Sequence, residues 1–173
     1  PTISRRQRQM CIRDSDRAVY LGRKTLQKIP LTLLERVENS YLNLTVRRHI
    51  NARLGGRLKA FVSGGAALDP NIGYFFLALD IPILQGYGQT EASPVITANP
   101  PKKIKIETVG KLLVGVEAKL TKQGEVCVRG DLLMKGYWND PIATKKKLRD
   151  GWLMTGDIGV IHPDGYILSL IHI

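Results

Sequence analysis

The chain has 173 residues, 43% of them hydrophobic and 24% charged, which fits a globular domain with a real core and excludes a disordered protein. Its 26 basic and 15 acidic residues leave a formal charge of +11, so anionic partners have to be weighed. The longest apolar run, YFFLALDIPIL, is interrupted by Asp80 and Pro82 and is too short to span a membrane, and no secretory leader pattern is present.

Taken in chain order, the first segment reads as foreign. RRQRQMCIRDS (5–15) resembles the translation of a transposase-type sequencing adapter, in which CAG ATG TGT ATA AGA GAC AG plus a pyrimidine reads Gln-Met-Cys-Ile-Arg-Asp-Ser. The reverse complement, CTG TCT CTT ATA CAC ATC, reads as the last six residues, Leu168 to Ile173. Complementary matches at the two ends lead us to expect adapter-derived residues at 1–15 and 168–173, with native sequence over 16–167. Setting aside Arg5, Arg6, Arg8, Arg13 and Asp14 lowers the balance from 26 against 15 to 22 against 14, or +8. The remaining clusters, PPKKIKI (100–106) and TKKKLRD (144–150), lack the interleaved aromatics of a single-strand-binding surface and read as solvated faces. They could also attract anionic nucleotides or a membrane surface.

From Asp16 to Leu54 the pattern is helical, with Leu33, Leu34, Val37, Tyr41, Leu44 and Ile50 near helical spacing, a boundary at Pro30 and a stop at Gly55-Gly56. RLKAFVSGG then reads as a short buried strand. LDPNIGYFFLALD is a helix with Asp69 as N-cap and Pro70 in its first position, and IPILQGYG is a second short strand. Strand, glycine turn, helix, strand and glycine turn make an α/β crossover whose loops should meet at a ligand-binding sheet edge. Beyond Thr108 the character is antiparallel: VGVEAKLTKQGEVCVRG is a hairpin turning at Lys122–Gly124, NDPIATKKKL a brief capped helix, GWLMTGDIGVI a strand pair and HPDG a turn. The expected fold is therefore α/β over 16–107, followed by a small antiparallel β subdomain over 108–167, with TANPPKKIK as the seam. Cys11 and Cys127 have neither metal-site nor disulfide-framework spacing, which points to a reducing compartment, and the three histidines are scattered.

Three segments carry the chemistry. SGGAAL (63–68) serves either as a tight turn or as main chain open to a flat ligand at Gly64, Gly65 and Ala66. In QGYGQTE (85–91), glycines flanking Tyr87 would leave a ring face open for a planar base, Thr90 can hydrogen-bond a phosphate, and Glu91 suits magnesium. The same residues also fit a core-filling tyrosine followed by a helix start. In DGWLMTGD (150–157), Asp157 is poised for ribose hydroxyls or for a plain β-turn, and Trp152 fits a core aromatic.

The order and spacing of SGGAAL, GYGQTE, GEVCVRG…MKGYW and GWLMTGD resemble the adenylate-forming superfamily over nearly all of 57–167, most like long-chain fatty acid–CoA ligases. The resemblance implies part of the large N-terminal domain of such an enzyme, with ATP, Mg2+ and coenzyme A as co-substrates and cofactor, and a fatty acid as substrate. It implies that Gly64, Gly65 and Ala66 line the adenine and acyl pockets, and that Gln85, Gly86, Tyr87 and Gly88 form the adenine strand and loop. Tyr87 would stack on the base, Thr90 contact phosphate, Glu91 hold Mg2+ and Asp157 bind ribose, with Thr90 and Glu91 as the catalytic pair. Ala67 stands where the family often has proline.

The family's phosphate loop, arginine hinge and catalytic lysine would fall outside the native part. An interior fragment unable to adenylate by itself is therefore expected. The expected compartment is cytoplasmic, with association at the inner membrane face left open, and the residues carry no signal for an oligomeric state. The competing readings are a peptide-synthetase adenylation domain or fatty acyl-AMP ligase, an inactive scaffold, and a basic nucleic-acid-binding module. The last leaves the three motif segments unexplained.

Overall fold

The structure is a computed structural model that describes residues 5–172, with side chains over 12–168. The terminal segments 1–15 and 168–173 lie largely outside the described side chains. The chain divides into two compact units, one made of 1–61 and 69–83, the other of 62–68 and 84–173.

The first unit is helical. It contains α1 (Arg5–Leu26), α2 (Leu33–Leu42), a π turn (Asn43–Arg47), α3 (Arg48–Arg53) and α4 (Pro70–Ala78). Thr32 caps α2 in a capping box with Glu35. Asp69 caps α4 by accepting from the Asn71 N–H, with Pro70 in the first turn as expected. Ala18, Leu21, Leu42, Leu79 and Ile81 form the core, with Val46, Ile50 and Phe76 packed against it.

Arg47 is buried inside this unit, and its guanidinium is spent on fixed acceptors. Nε donates to Ala78 O at 2.9 Å, Nη2 to Ala18 O at 2.8 Å and Nη1 to Asn39 Oδ1 at 2.9 Å. Ala78 ends α4, so the arginine satisfies a carbonyl that has no partner within the helix. Burial lowers the Arg47 pKa, and the nearby Asp80 carboxylate opposes that shift.

The helical stripe read from the sequence does not all face this core. Leu33, Leu34, Val37, Tyr41 and Leu44 are 62 to 84% exposed, and of the named positions Ile50 alone joins the core cluster. Periodicity identified the helix but not what covers it.

Two sheets follow, with all their residues except Phe61 and Ile83 in the second unit. One has the order β1 (Phe61–Ser63), β2 (Ile83–Tyr87), β3 (Thr97–Ala98), β4 (Lys111–Leu112), with β2–β3 and β3–β4 antiparallel. The other runs β5 (Glu117–Leu120), β6 (Glu125–Arg129), β8 (Trp152–Ile161), β7 (Leu148–Arg149), and β9 (Ile167–His172) pairs with β8. The β5–β6 hairpin and the helix α5 (Pro141–Lys147), capped by Asp140, stand where the sequence placed them.

Two expectations need correction. The first strand was expected to be buried, yet Phe61 and Val62 are exposed, because its apolar residues follow composition and meet no cover on that side. GWLMTGDIGVI was expected to be a strand pair but is one ten-residue strand. Gly156 takes a φ of +81° as a bulge inside β8 rather than turning the chain back.

The core of this unit is Ala92, Ile96, Val126, Val128 and Leu153, with Tyr87, Val116, Leu132 and Leu148 packed against it. Trp152 is not a core aromatic. Lys119 Nζ stands 4.1 Å and Arg129 Cζ 4.7 Å from its ring centroid. Among the described residues no helix is long and apolar enough to cross a membrane.

Candidate functional site

Every residue singled out as a site residue falls in the second unit. The bulge in β8 is its centre. Between the pairs Cys127↔Met154 and Glu125↔Ile158, β8 advances four residues while β6 advances two. On the β6 side the extra chain at Thr155–Asp157 is held by side chains instead of the ladder, while Asp157 pairs with His172 of β9. Thr155 Oγ1 donates to Val126 O at 2.7 Å and accepts from the Asp157 N–H at 3.1 Å, while the Gly156 N–H donates to Glu125 Oε1 at 2.9 Å. Leu153, Thr155 and Asp157 lie on the buried face of the strand, and Asp157 is only 3% exposed. A carboxylate on that face requires partners.

Tyr87 supplies one. Its phenol donates a hydrogen bond to Asp157 Oδ2, 70 residues away in the chain. Burial, followed by the Asp157 carboxylate, drives the Tyr87 pKa well above its usual range, so it remains a donor. The ring packs against the core cluster while its hydroxyl reaches the site. The ring thus packs as the core-filling reading expects, while the hydroxyl pairs with Asp157. Gln89 Nε2 lies 3.4 Å from both Tyr87 Oη and Thr155 O, at the outer limit of a hydrogen bond.

Gly88 has a packing reason. A Cβ built there would stand 1.9 Å from Pro94 O, so the chain returning through Pro94 and Val95 requires glycine. Gly86 is less tightly confined, with the nearest atom, Thr97 O, at 3.1 Å from such a Cβ.

Thr90 and Glu91 open a single 3-10 turn, Thr90–Ala92, with no side-chain cap from Gln89. Thr90 is exposed and Glu91 half-buried. The Glu91 carboxylate accepts from the Tyr137 phenol at 2.6 Å, which holds its pKa below the usual carboxylate range, aided by its own N–H and more weakly by the charge of Lys147. The same bond raises Tyr137 to about 12. Tyr137 stands in the MKGYW segment but was not read as a site residue. No local spacing signal ties it to a carboxylate 46 residues earlier.

Gln85 is buried. Its Oε1 accepts from the Leu68 N–H at 3.1 Å and its Nε2 donates to Ile106 O, tying the SGGAAL loop to β2. Gly64, Gly65 and Ala66 are exposed, and nothing lies within 4 Å of a Cβ position at Gly65, which leaves this main chain open to a ligand. A Cβ at Gly64 would stand 3.6 Å from Gly86 O, so the two glycine segments do come together.

Among the described residues no group of three His, Cys, Asp or Glu side chains gathers to hold a metal. Glu91 offers one ionised carboxylate. That suits Mg2+, which takes one or two carboxylates alongside substrate phosphates rather than a full protein cage.

A family model described as AMP-binding enzyme matches residues 6–138. The long-chain-fatty-acid–CoA ligase FadD15 of Mycobacterium bovis is 37% identical over 135 residues, covering 78% of this chain and 22% of its own length. Among solved structures, the amide bond synthetase McbA from Marinactinospora thermotolerans aligns with a TM-score of 0.64 at 28% identity, over 76% of this chain and 30% of that one. The N-terminal domain of FACL13 from Mycobacterium tuberculosis aligns with a TM-score of 0.58 at 28% identity, over 65% and 31%. The chain thus spans about a fifth of the length of the curated relatives it matches. Two glycine segments meet beside a tyrosine–aspartate pair, and the family model covers most of the chain. The chain belongs to the AMP-binding enzyme family, with the fold of part of the N-terminal domain of adenylate-forming enzymes.

Proposed function

We propose that the chain carries the nucleotide-binding face of an ATP-dependent long-chain fatty acid–CoA ligase. The observation that carries this reading is the joining of GYGQTE to TGD within one unit, through the Tyr87–Asp157 bond. The similarity to a long-chain-fatty-acid–CoA ligase supports the substrate class. In this reading Tyr87 presents its ring to adenine, with Gln85, Gly86 and Gly88 shaping the strand and loop behind it. Asp157 accepts from the ribose hydroxyls, Thr90 donates to phosphate, and Gly64, Gly65 and Ala66 line the base and acyl sides.

The reaction proceeds in two displacements. An oxygen of the fatty carboxylate attacks the α-phosphorus of ATP, and the bond to pyrophosphate breaks. The thiolate of coenzyme A then attacks the acyl carbonyl carbon, and AMP leaves with the electron pair of the broken C–O bond. Mg2+, when bound, supplies charge neutralisation at the phosphates. The part played by this chain is positional. Tyr137 keeps Glu91 ionised and aimed, and the β8 bulge holds Asp157 in place before substrate arrives.

A second reading, an acid-activating enzyme with an acceptor other than coenzyme A, draws on the alignment with an amide bond synthetase. A panel of fatty acids, aryl acids and amino acids, assayed by ATP–pyrophosphate exchange and then by thioester formation in the full-length protein, tests both. Exchange with long-chain fatty acids and coenzyme A thioester as product is expected. Exchange without thioester selects the second reading, and no acid-dependent exchange refutes both.

A further inference from the structure

The lysine run of α5 is not explained by the roles above. Lys145 and Lys146 are exposed, as a solvated face should be. Lys147 differs. It is half-buried, and its Nζ donates to Thr155 O at 3.1 Å. Thr155 pairs in neither the β6 nor the β9 ladder, so the bulge leaves its carbonyl available to side chains. The Nζ also stands 3.5 Å from a Cβ position at Gly156, over the peptides linking Thr155 to Asp157. The ammonium is therefore seated at the bulge beside the Asp157 segment, and its charge weakly lowers the Glu91 pKa.

One of its three donors meets a neutral carbonyl, and among the described residues it forms no ion pair. Among the described residues the ammonium meets a carbonyl oxygen and no carboxylate, and a half-buried ammonium so placed is suited to an incoming anion. We propose that Lys147 is a phosphate-contacting residue of the nucleotide site, donating to an oxygen of the phosphate ester of a bound adenine nucleotide. This deepens the nucleotide reading above and rests on it. In that frame the ammonium lies on the side where the ribose at Asp157 gives way to the phosphate near Glu91. A partner among the phosphate oxygens would keep the donor it already places on Thr155 O.

The test compares adenosine with AMP on the 173-residue chain, in wild type, Lys147→Gln and Lys147→Arg, with inorganic phosphate as competitor and the combined fluorescence of Trp138 and Trp152 as signal. The readout is the AMP-to-adenosine affinity ratio within each protein, which a general loosening of the fold does not alter. The ratio is expected to fall roughly tenfold in Lys147→Gln and to be largely retained in Lys147→Arg, with adenosine affinity unchanged in both. Inorganic phosphate should compete with AMP in wild type and lose that effect in Lys147→Gln. An unchanged ratio in Lys147→Gln overturns the role of Lys147 while leaving the nucleotide reading standing. Failure of wild type to bind adenosine at all overturns the nucleotide reading itself, and this role with it.

Discussion

The two units use buried polar groups in opposite ways. In the helical unit, Arg47 is surrounded by backbone carbonyls and Asn39, its geometry is closed, and its task is to satisfy acceptors such as the end of α4. In the strand unit, Asp157, Glu91 and Lys147 meet partners that a ligand can exchange or extend, namely phenols and a carbonyl released from its ladder. A buried charge tied to main chain on several sides serves stability. In the proposed function, the charges that meet phenols and a free-standing carbonyl beside open glycine backbone serve binding.

The sharpest way to break that contrast is through the site's scaffold. Gly88→Ala is expected to cost on the order of 4 kcal/mol, since its Cβ would overlap Pro94 O and only backbone can move. Hydrogen exchange should show lost protection in β2 and β3, and nucleotide binding should disappear with it. In the other unit, Arg47→Met should cost about 3 kcal/mol by stranding the carbonyls of Ala18 and Ala78. Urea unfolding reads the loss, and exchange should rise in α1 and at the end of α4.

Tyr137→Phe makes a smaller, pH-resolved change. Glu91 has a depressed pKa in the fold, so its contribution is present above the unfolded carboxylate range and is lost as pH falls through the depressed value. Removing the phenol should move the Glu91 midpoint, followed by carboxyl NMR, upward, and flatten the acid limb of stability. Tyr137 itself, raised from 10.0 to about 12, contributes stability that is present below pH 10 and lost as pH rises through 12. The phenylalanine variant should lack that alkaline limb. The smallest effect belongs to the uncovered helical stripe. Leu34→Glu, at a position 84% exposed, should change stability by less than about 0.5 kcal/mol while raising the concentration at which the chain aggregates.

Much of the local structure was legible because it obeys local rules. Asp69-Pro70 starts α4, Asp140-Pro141 starts α5, and alternation with Lys122–Gly124 makes the β5–β6 hairpin. Each depends on contacts within a few residues, which composition and spacing report directly. The candidate site was legible as a set of segments, but not as a geometry. Asp157 was assigned by its motif, whereas its place on the inward face of a single bulged strand depends on the register of β6 against β8. Gly88 was read as room beside a ring, and its tighter constraint comes from chain returning through Pro94.

The sequence by itself determined the order of helices and strands, the caps that start them and the motif segments that carry the family. It could do so because propensity, capping and periodicity act over one or two turns of chain. The tertiary structure alone decided that Tyr87 meets Asp157, that Tyr137 holds Glu91, that Lys147 is seated on the bulge and that the α2 stripe is left uncovered. These pairings join residues from 8 to 70 positions apart, and the energy of burying a charge or a ring depends on what the remainder of the fold brings alongside it.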